Sequence, residues 1–294
     1  MTTRRTEESF TLLREVVAAA GLSAQGAQPI RLAENDLWRL PANIVVRISR
    51  AGQDAAAARE VAVTRWLAEH NVPAVRPLLM EQPVHACGRA ATFWEELPRH
   101  RHGTEVDLAP LLRRLHDLPK PPFHIGRLDP FVRITDRLSA ARSVSDDDRE
   151  WLLHRLDALR QEWDHLPAGQ PECVIHGDAW GGNCAVTADG PVLMDFERTS
   201  EGPPEWDLTS TAIKHDTFGT LSVDGYRRYC EAYGYDVMTW DGYPIMRGIR
   251  ELRLVSFALQ IADQDPDALG QARHRVMCVR GRQGPRPWGW TAVG

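Results

Sequence analysis

Lysine is almost missing from this chain. Only Lys120 and Lys214 are lysines among its 35 basic residues, and the others are arginines. Chemistry that needs a lysine nucleophile or Schiff base therefore has two candidates, and GC-rich coding is the simplest source of the bias. Cysteine is scarce as well. Cys87, Cys173, Cys184, Cys230 and Cys278 are odd in number, widely spaced and without a C-x-x-C pair. That pattern argues against a disulfide framework or a structural zinc site and predicts a reducing, cytoplasmic setting. No stretch approaches 18 consecutive apolar residues, so no membrane partner is expected. The opening MTTRRTEESF lacks the apolar run of a secretory signal. Concentrated positive charge is absent too, and a formal net charge of −5 predicts no nucleic-acid partner. What is present is 294 residues, 43% of them hydrophobic, with ten tryptophans. This is enough for one large domain or two moderate lobes around a real core, expected to be monomeric.

The first ninety or so residues read as a small sheet with an inserted helix. Phe10, Leu13, Val16 and Val17 share a stripe, which predicts a helix over Glu7–Ala20. Strand-like runs follow at Pro29–Ala33, Leu37–Leu40 and Asn43–Ser49; in the last, Ile44, Val46 and Ile48 alternate with Val45 and Arg47. Gln53–His70 is strongly helical, and Val75–Met80 and Ala90–Trp94 read as further strands. From Glu95 the pattern changes. Glu95-Glu96-Leu97-Pro98 breaks the strand, and helical segments then dominate: Leu108–Leu118, Val132–Ala141, Asp146–His165, Glu205–Lys214, Val223–Tyr233, Pro244–Asp263 and Pro266–Val276. Cys184–Thr187 and Pro191–Phe196 read as a hairpin turning at Ala188-Asp189-Gly190. The expected class is α+β: a small antiparallel lobe over residues 1–94, a hinge at about 95–98 and a larger helical lobe over 95–294. The tail from Arg280, with Trp288 and Trp290 among glycines and prolines, is expected to be loosely held.

The stretch Val174–Leu208 carries the chemistry. His176-Gly177-Asp178 is followed five residues after the aspartate by Asn183, and the hairpin's second strand runs into Asp195-Phe196. Two carboxylates and a carboxamide thus gather on turns around one hairpin. Hard oxygen donors of this kind suit Mg²⁺, with substrate phosphates completing the shell. The spacing is that of kinase catalytic machinery. By average composition, H-G-D-x-x-x-x-N arises by chance in roughly one chain in a thousand of this length. The bland alternative is a polar turn whose Asp and Asn only cap a hairpin.

With Gly202-Pro203-Pro204-Glu205-Trp206-Asp207-Leu208 added, the chain resembles the aminoglycoside phosphotransferase and choline kinase-like family, which shares the protein-kinase fold. About 35 residues match as motif, and the order of lobes agrees over nearly the whole chain. The resemblance implies that Asp178 takes the acceptor hydroxyl's proton and that Asn183 and Asp195 hold the metal. It further implies that His176 and Asp207 brace the catalytic loop. ATP or GTP is the implied co-substrate. The small lobe should supply a cation on its third strand and an acid on its helix. Arg47, with Arg50 competing, and Glu60 fit those positions, whereas Lys120 and Lys214 do not. Backbone groups of Glu95, Glu96 and Leu97 should face the base.

Three departures stand out. Arginine replaces the usual lysine, the turn Leu32–Asp36 has no glycine, and Asp195-Phe196-Glu197 lacks the glycine of the protein-kinase triplet. On the acceptor side the candidates are Trp180, Glu201, Glu205, Asp216 and Glu251, with Asp263 as a further acid. Arg247, Arg250 and Arg253 would instead suit an anionic acceptor. The expected function is phosphoryl transfer to an aminoglycoside-like or other natural product. The alternatives are a metabolic sugar or amino-alcohol kinase, and a nucleotide-binding scaffold without activity.

Overall fold

A computed structural model describes residues 3–293. It opens with α1 (Thr3–Ala19), followed by β1 (Gln28–Leu32), β2 (Asp36–Leu40), β3 (Ile44–Ile48), α2 (Asp54–Glu69), β4 (Val84–Ala86) and β5 (Arg89–Glu95). Next come β6 (Arg101–His102), α3 (Glu105–His116), α4 (Ile134–Ala140), α5 (Asp146–Asp164) and β7 (Cys173–Ile175). A 3-10 turn at Gly181–Asn183 leads into β8 (Cys184–Thr187), β9 (Gly190–Leu193) and β10 (Ser200–Gly202). The chain ends with α6 (Glu205–Asp216), α7 (Val223–Tyr233), α8 (Tyr243–Ala262) and α9 (Leu269–Val279). Among the described residues no helix is long and apolar enough to cross a membrane.

Packing groups the chain into two units. The first holds residues up to Ile125 together with His176–Ser200. Its main sheet is antiparallel in the order β1-β2-β3-β5-β4. Leu13, Val16 and Val17 of α1 join Trp38, Val46, Ile48, Ala91 and Phe93 in one core, which holds the helix against the sheet. The Trp38 indole donates to Ser9 Oγ at 3.1 Å, so the polar edge of this buried ring is satisfied. The alternation in β3 has a direct consequence. Val46 and Ile48 enter the core, and Val45 and Arg47 face the other way.

This grouping differs from a single cut after residue 94. The strand β6 pairs with β8 in a separate three-stranded sheet, and α3 packs against β9, so the His176–Ser200 segment groups with the residues up to Ile125. Thr104 and Asp107 form a reciprocal capping box that starts α3.

The second unit comprises Gly126–Ile175 and the residues from Glu201 onward. In it α8 is central, packing against α4, α5, α6 and α9 through residues such as Ile249, Leu252, Val255 and Leu259. The tail is not loose. Trp290 is fully buried, and its ring faces Phe218 and the Arg275 guanidinium. Arg275 donates to Leu254 O, 2.9 Å away, and to Thr291 O, 2.5 Å away. Large aromatic area explains the correction: a short segment carrying two tryptophans buries enough surface to dock.

Two strand expectations also change. Val75–Met80 is irregular, touching β5 through a bridge at Pro77 and a Leu78 N–H bond to Phe93 O. Pro73 and Pro77 lack the N–H groups a ladder needs. The strand expected to run to Phe196 stops at Leu193, because Asp195 adopts a left-handed φ of 64°.

Candidate active site

The segment from His176 to Arg198 wraps around the β8–β9 hairpin, and its turns are fixed by its own hydrogen bonds. His176 is fully buried, with Nε2 2.9 Å from Met194 O and Nδ1 3.4 Å from the Asp178 N–H. The ring thus donates through Nε2 and accepts at Nδ1, as a neutral imidazole does. Asn183 Nδ2 donates to Asp178 O at 2.9 Å, and Met194 N–H donates to Asn183 O at 3.0 Å. Gly177 sits at φ +82°, and a Cβ there would lie 2.3 Å from Arg198 O. Only glycine allows this approach of the two backbone strands. Asp178 is left about two-fifths exposed, with its Oδ2 3.9 Å from Arg198 Nε.

Opposite this loop, Arg47 reaches out from β3. Its Nη1 donates to Glu60 Oε2 on α2, its Nη2 donates to Glu197 Oε2, and Asp195 Oδ1 lies 3.8 Å from Nη1. Arg50, the competing candidate, instead pairs with Glu34 at 2.9 Å on the surface. Burial pushes the Glu60 carboxyl up to about 7, against the pull of Arg47. Burial likewise raises Asp195, with Arg47 opposing. Burial pulls the Arg47 guanidinium down, but Glu60, Asp195 and Glu197 together hold it above its ordinary value.

These residues line a cavity of about 540 Å³. Val45, Val75, Trp94, Leu97 and Met194 give it apolar walls, and Arg47, Glu60, Asp178, Asp195, Glu197 and Arg198 give it a charged part. Val45 and Arg47 are two residues apart on one face of β3, so the apolar and charged linings are offset by roughly 7 Å along the strand. Glu95 and Glu96 also line the cavity. The Glu95 N–H is bonded to Arg76 O, the Glu96 N–H to Asn43 O, and the Glu96 carboxylate to Arg39 at 2.6 Å. Among the described residues, Leu97 therefore carries the stretch's one backbone N–H without a hydrogen-bond partner.

The donor set fits a hard cation. Asp195 Oδ1 is buried without a hydrogen bond, and Asn183 nearby in sequence is 8% exposed. Among the described residues no three His, Cys, Asp or Glu side chains cluster tightly enough to hold a metal unaided. Two protein oxygens with a phosphate chain completing the shell is the pattern Mg²⁺ takes.

The other candidates fare differently. Trp180 is 46% exposed, and its ring lies over Gly182, where a Cβ would meet it at 2.1 Å. Asp207 is fully buried in the first turn of α6. Glu201 lies 3.8 Å from Arg127. Glu205 is fully buried and accepts from the Gln170 N–H at 2.6 Å. Asp216 accepts from Tyr243 Oη and from Arg247. Glu251, 3% exposed, is gripped by both nitrogens of the Arg286 fork at 2.8 and 2.7 Å and by Thr217 Oγ1 at 2.7 Å. Asp263 caps the Arg142 and Ser143 amides. Arg250 stacks 4.0 Å from the Trp206 ring and donates to its carbonyl, and Arg253 donates to Pro130 O. The three arginines on α8 are thus engaged inside their own unit. Sequence reading missed Glu197 and Arg198 as site residues; their place directly after Asp195-Phe196 was the available signal.

No curated protein sequence matches this one. Among solved structures, a choline/ethanolamine kinase family protein from Mesorhizobium loti superposes with a TM-score of 0.65 at 17% identity, covering 95% of each chain. An amicoumacin kinase in complex with AMP-PNP, Ca²⁺ and Ami gives 0.71 at 14% identity over 96% of this chain and 95% of that one. An aminoglycoside phosphotransferase from Streptomyces rimosus gives 0.63 at 20% identity, covering 83% and 98% respectively. The expected two-lobed, protein-kinase-like α+β fold is therefore the fold found. The model of the phosphotransferase enzyme family matches residues 26–249. The chain belongs to the phosphotransferase enzyme family, as a kinase-type phosphotransferase acting on hydroxyl acceptors.

Proposed function

We propose that this enzyme moves the γ-phosphoryl group of a nucleoside triphosphate to a hydroxyl of an aminoglycoside-like or other natural-product acceptor, with Mg²⁺ as its metal. The observation that carries the reading is the charged part of the cavity. Asp178 stands half-open there beside a buried, unsatisfied Asp195 oxygen and the Arg47–Glu60 pair. Among the structural neighbours, the aminoglycoside and amicoumacin kinases support the acceptor class. Phosphorylating an antibiotic of that kind is a route to resistance.

In this reading the Asp178 carboxylate accepts the acceptor's hydroxyl proton as that oxygen attacks the γ-phosphorus. The bond to the bridging oxygen breaks, and the nucleoside diphosphate leaves. When bound, Mg²⁺ neutralises charge on the phosphate oxygens, with Asn183 and Asp195 as its protein ligands. His176 holds the loop through Met194 O and the Asp178 N–H. Arg47 faces the phosphates, and Leu97 N–H with its neighbours at Glu95 and Glu96 faces the base. By function we assign residues 1–94 to the nucleotide lobe, 95–98 to the hinge and the remainder to catalysis and the acceptor, although His176–Ser200 packs within the first unit. Trp180 walls the acceptor side of the loop, and of the acids Asp216 and Glu201 keep the most exposure.

The test is an acceptor screen with ATP and GTP, read by mass for one added phosphoryl group. Asp178→Asn is expected to abolish transfer and keep nucleotide binding, and Asp195→Ala to weaken metal-dependent binding itself. Transfer to simple sugars or amino alcohols alone would replace the acceptor class. Nucleotide binding with no transfer to any acceptor would make the chain a scaffold.

A further inference from the structure

Two departures from the kinase pattern, arginine at position 47 and glutamate at position 197, meet in one contact. A lysine ammonium is a compact point charge, whereas a guanidinium presents a planar fork that serves two carboxylates at once. In this structure the fork does so, with Nη1 on Glu60 and Nη2 on Glu197. The Arg47 side chain is 13% exposed and Glu60 is 5% exposed, whereas Glu197 keeps 35%, so the tie is buried at its Glu60 end and part-exposed at its Glu197 end.

The surroundings show what the tie holds. Asp195 has a left-handed backbone, a conformation that aspartate tolerates better than most residues with a Cβ and that its neighbours here hold in place. The two residues after it are anchored at three points. Phe196 N–H donates to Glu60 Oε1 at 3.3 Å, Arg59 Nη2 donates to Glu197 O at 2.6 Å, and Arg47 grips the Glu197 carboxylate. All three anchors come from β3 or α2. The Asp195 Oδ1 atom takes no hydrogen bond from any of them.

We propose that Glu197 is a positioning residue for the metal-side carboxylate: through Arg47 it locks Asp195, and position 47 is arginine because one group must hold Glu60 and Glu197 together. This rests on the nucleotide–metal reading of the cavity. The consequence is that positions 47 and 197 act as a unit, so lysine at 47 leaves Glu197 without its partner.

The test is calorimetric titration of the full chain with AMP-PNP over a series of Mg²⁺ concentrations, with no turnover involved. Arg47→Lys and Glu197→Gln should each raise the Mg²⁺ concentration at half-saturation by about 10- to 100-fold, the usual cost of losing a group that orients a metal ligand. The double variant should cost about as much as one single, since the two changes remove the same contact. Penalties that multiply in the double variant, or a Glu197→Gln midpoint within about twofold of wild type, would overturn the inference. Should Arg47→Lys fail to fold, as judged by circular dichroism, the Glu197→Gln midpoint decides alone. A wild-type chain that binds no AMP-PNP with Mg²⁺ would overturn the nucleotide-site reading, and this inference with it.

Discussion

Replacing Arg286 by methionine tests the docked tail. The Glu251 carboxylate is 4% exposed and takes both of its close charge-assisted bonds from the Arg286 fork. Breaking a buried pair from one side costs about 3–5 kcal/mol, because the remaining charge stays in a poorly solvated site. Here the cost is smaller. Arg286 itself is 27% exposed, Thr217 Oγ1 still donates to Glu251, and Arg247 Nε stands 4.0 Å away. About 2–3 kcal/mol remains, which lowers the melting temperature by about 4–12 °C for a unit of this size. Part of it is lost stacking, since the Arg286 guanidinium lies 3.9 Å from the Trp288 ring centre. Urea unfolding followed by tryptophan fluorescence reads the change, because Trp288 and Trp290 both lie in the segment at stake. Arg286→Met with Glu251→Met should recover most of the loss, as both charges are then gone. A single variant within about 0.5 kcal/mol of wild type would refute the reasoning and return the tail to a loose extension.

Three further outcomes follow from the geometry. Gly177→Ala should destabilise the chain by about 1–2 kcal/mol from its left-handed backbone alone and cut phosphoryl transfer by about 100-fold by displacing Asp178; unchanged turnover in a single-turnover assay would contradict it. Asp107, held down to about 2 by its hydrogen bond from Arg101, contributes stability that is present above its ordinary value near 3.8 and lost as pH falls through about 2. Asp107→Asn should therefore cost about 1 kcal/mol at pH 7, screening included, and almost nothing near pH 2, by urea unfolding at both. Glu60 has the opposite sign. Burial raises its carboxyl to about 7, so its contribution is present below about 4.5 and lost as pH rises through 7. Glu60→Gln should flatten the stability profile between pH 5 and 8, and an unchanged slope would count against the burial argument.

The candidate catalytic segment was legible because its signal is local. His176, Asp178, Asn183 and Asp195 fall within twenty residues, and the hydrogen bonds that shape their turns run among those same residues. The face of β3 was legible too, since strict alternation separated Val46 and Ile48 from Arg47. The acceptor acids were not. Glu251 meets Arg286 and Thr217, each more than thirty residues away, and Asp216 meets Arg247 at a similar distance in sequence. No spacing rule reports such pairings, so carboxylates committed to internal arginines look the same in sequence as carboxylates awaiting a cationic ligand. The strand β4 was missed for a related reason. It is three residues long, follows a proline, and exists only because β5 offers it an edge.

The scarcity of lysine has a physical consequence wherever charge is buried. Arg47 bridges Glu60 and Glu197, Arg280 bridges Asp147 and Asp148, and Arg286 closes both nitrogens on Glu251. Arg47 and Arg286 each use two guanidinium nitrogens in one plane, which an ammonium group cannot reproduce, while Arg280 shares one nitrogen between two acids. Whatever the origin of the bias, the fold has come to depend on it at these places. Arginine-to-lysine changes should therefore be tolerated at exposed pairs such as Arg4–Glu8 and costly at Arg47, where two acids rely on one residue.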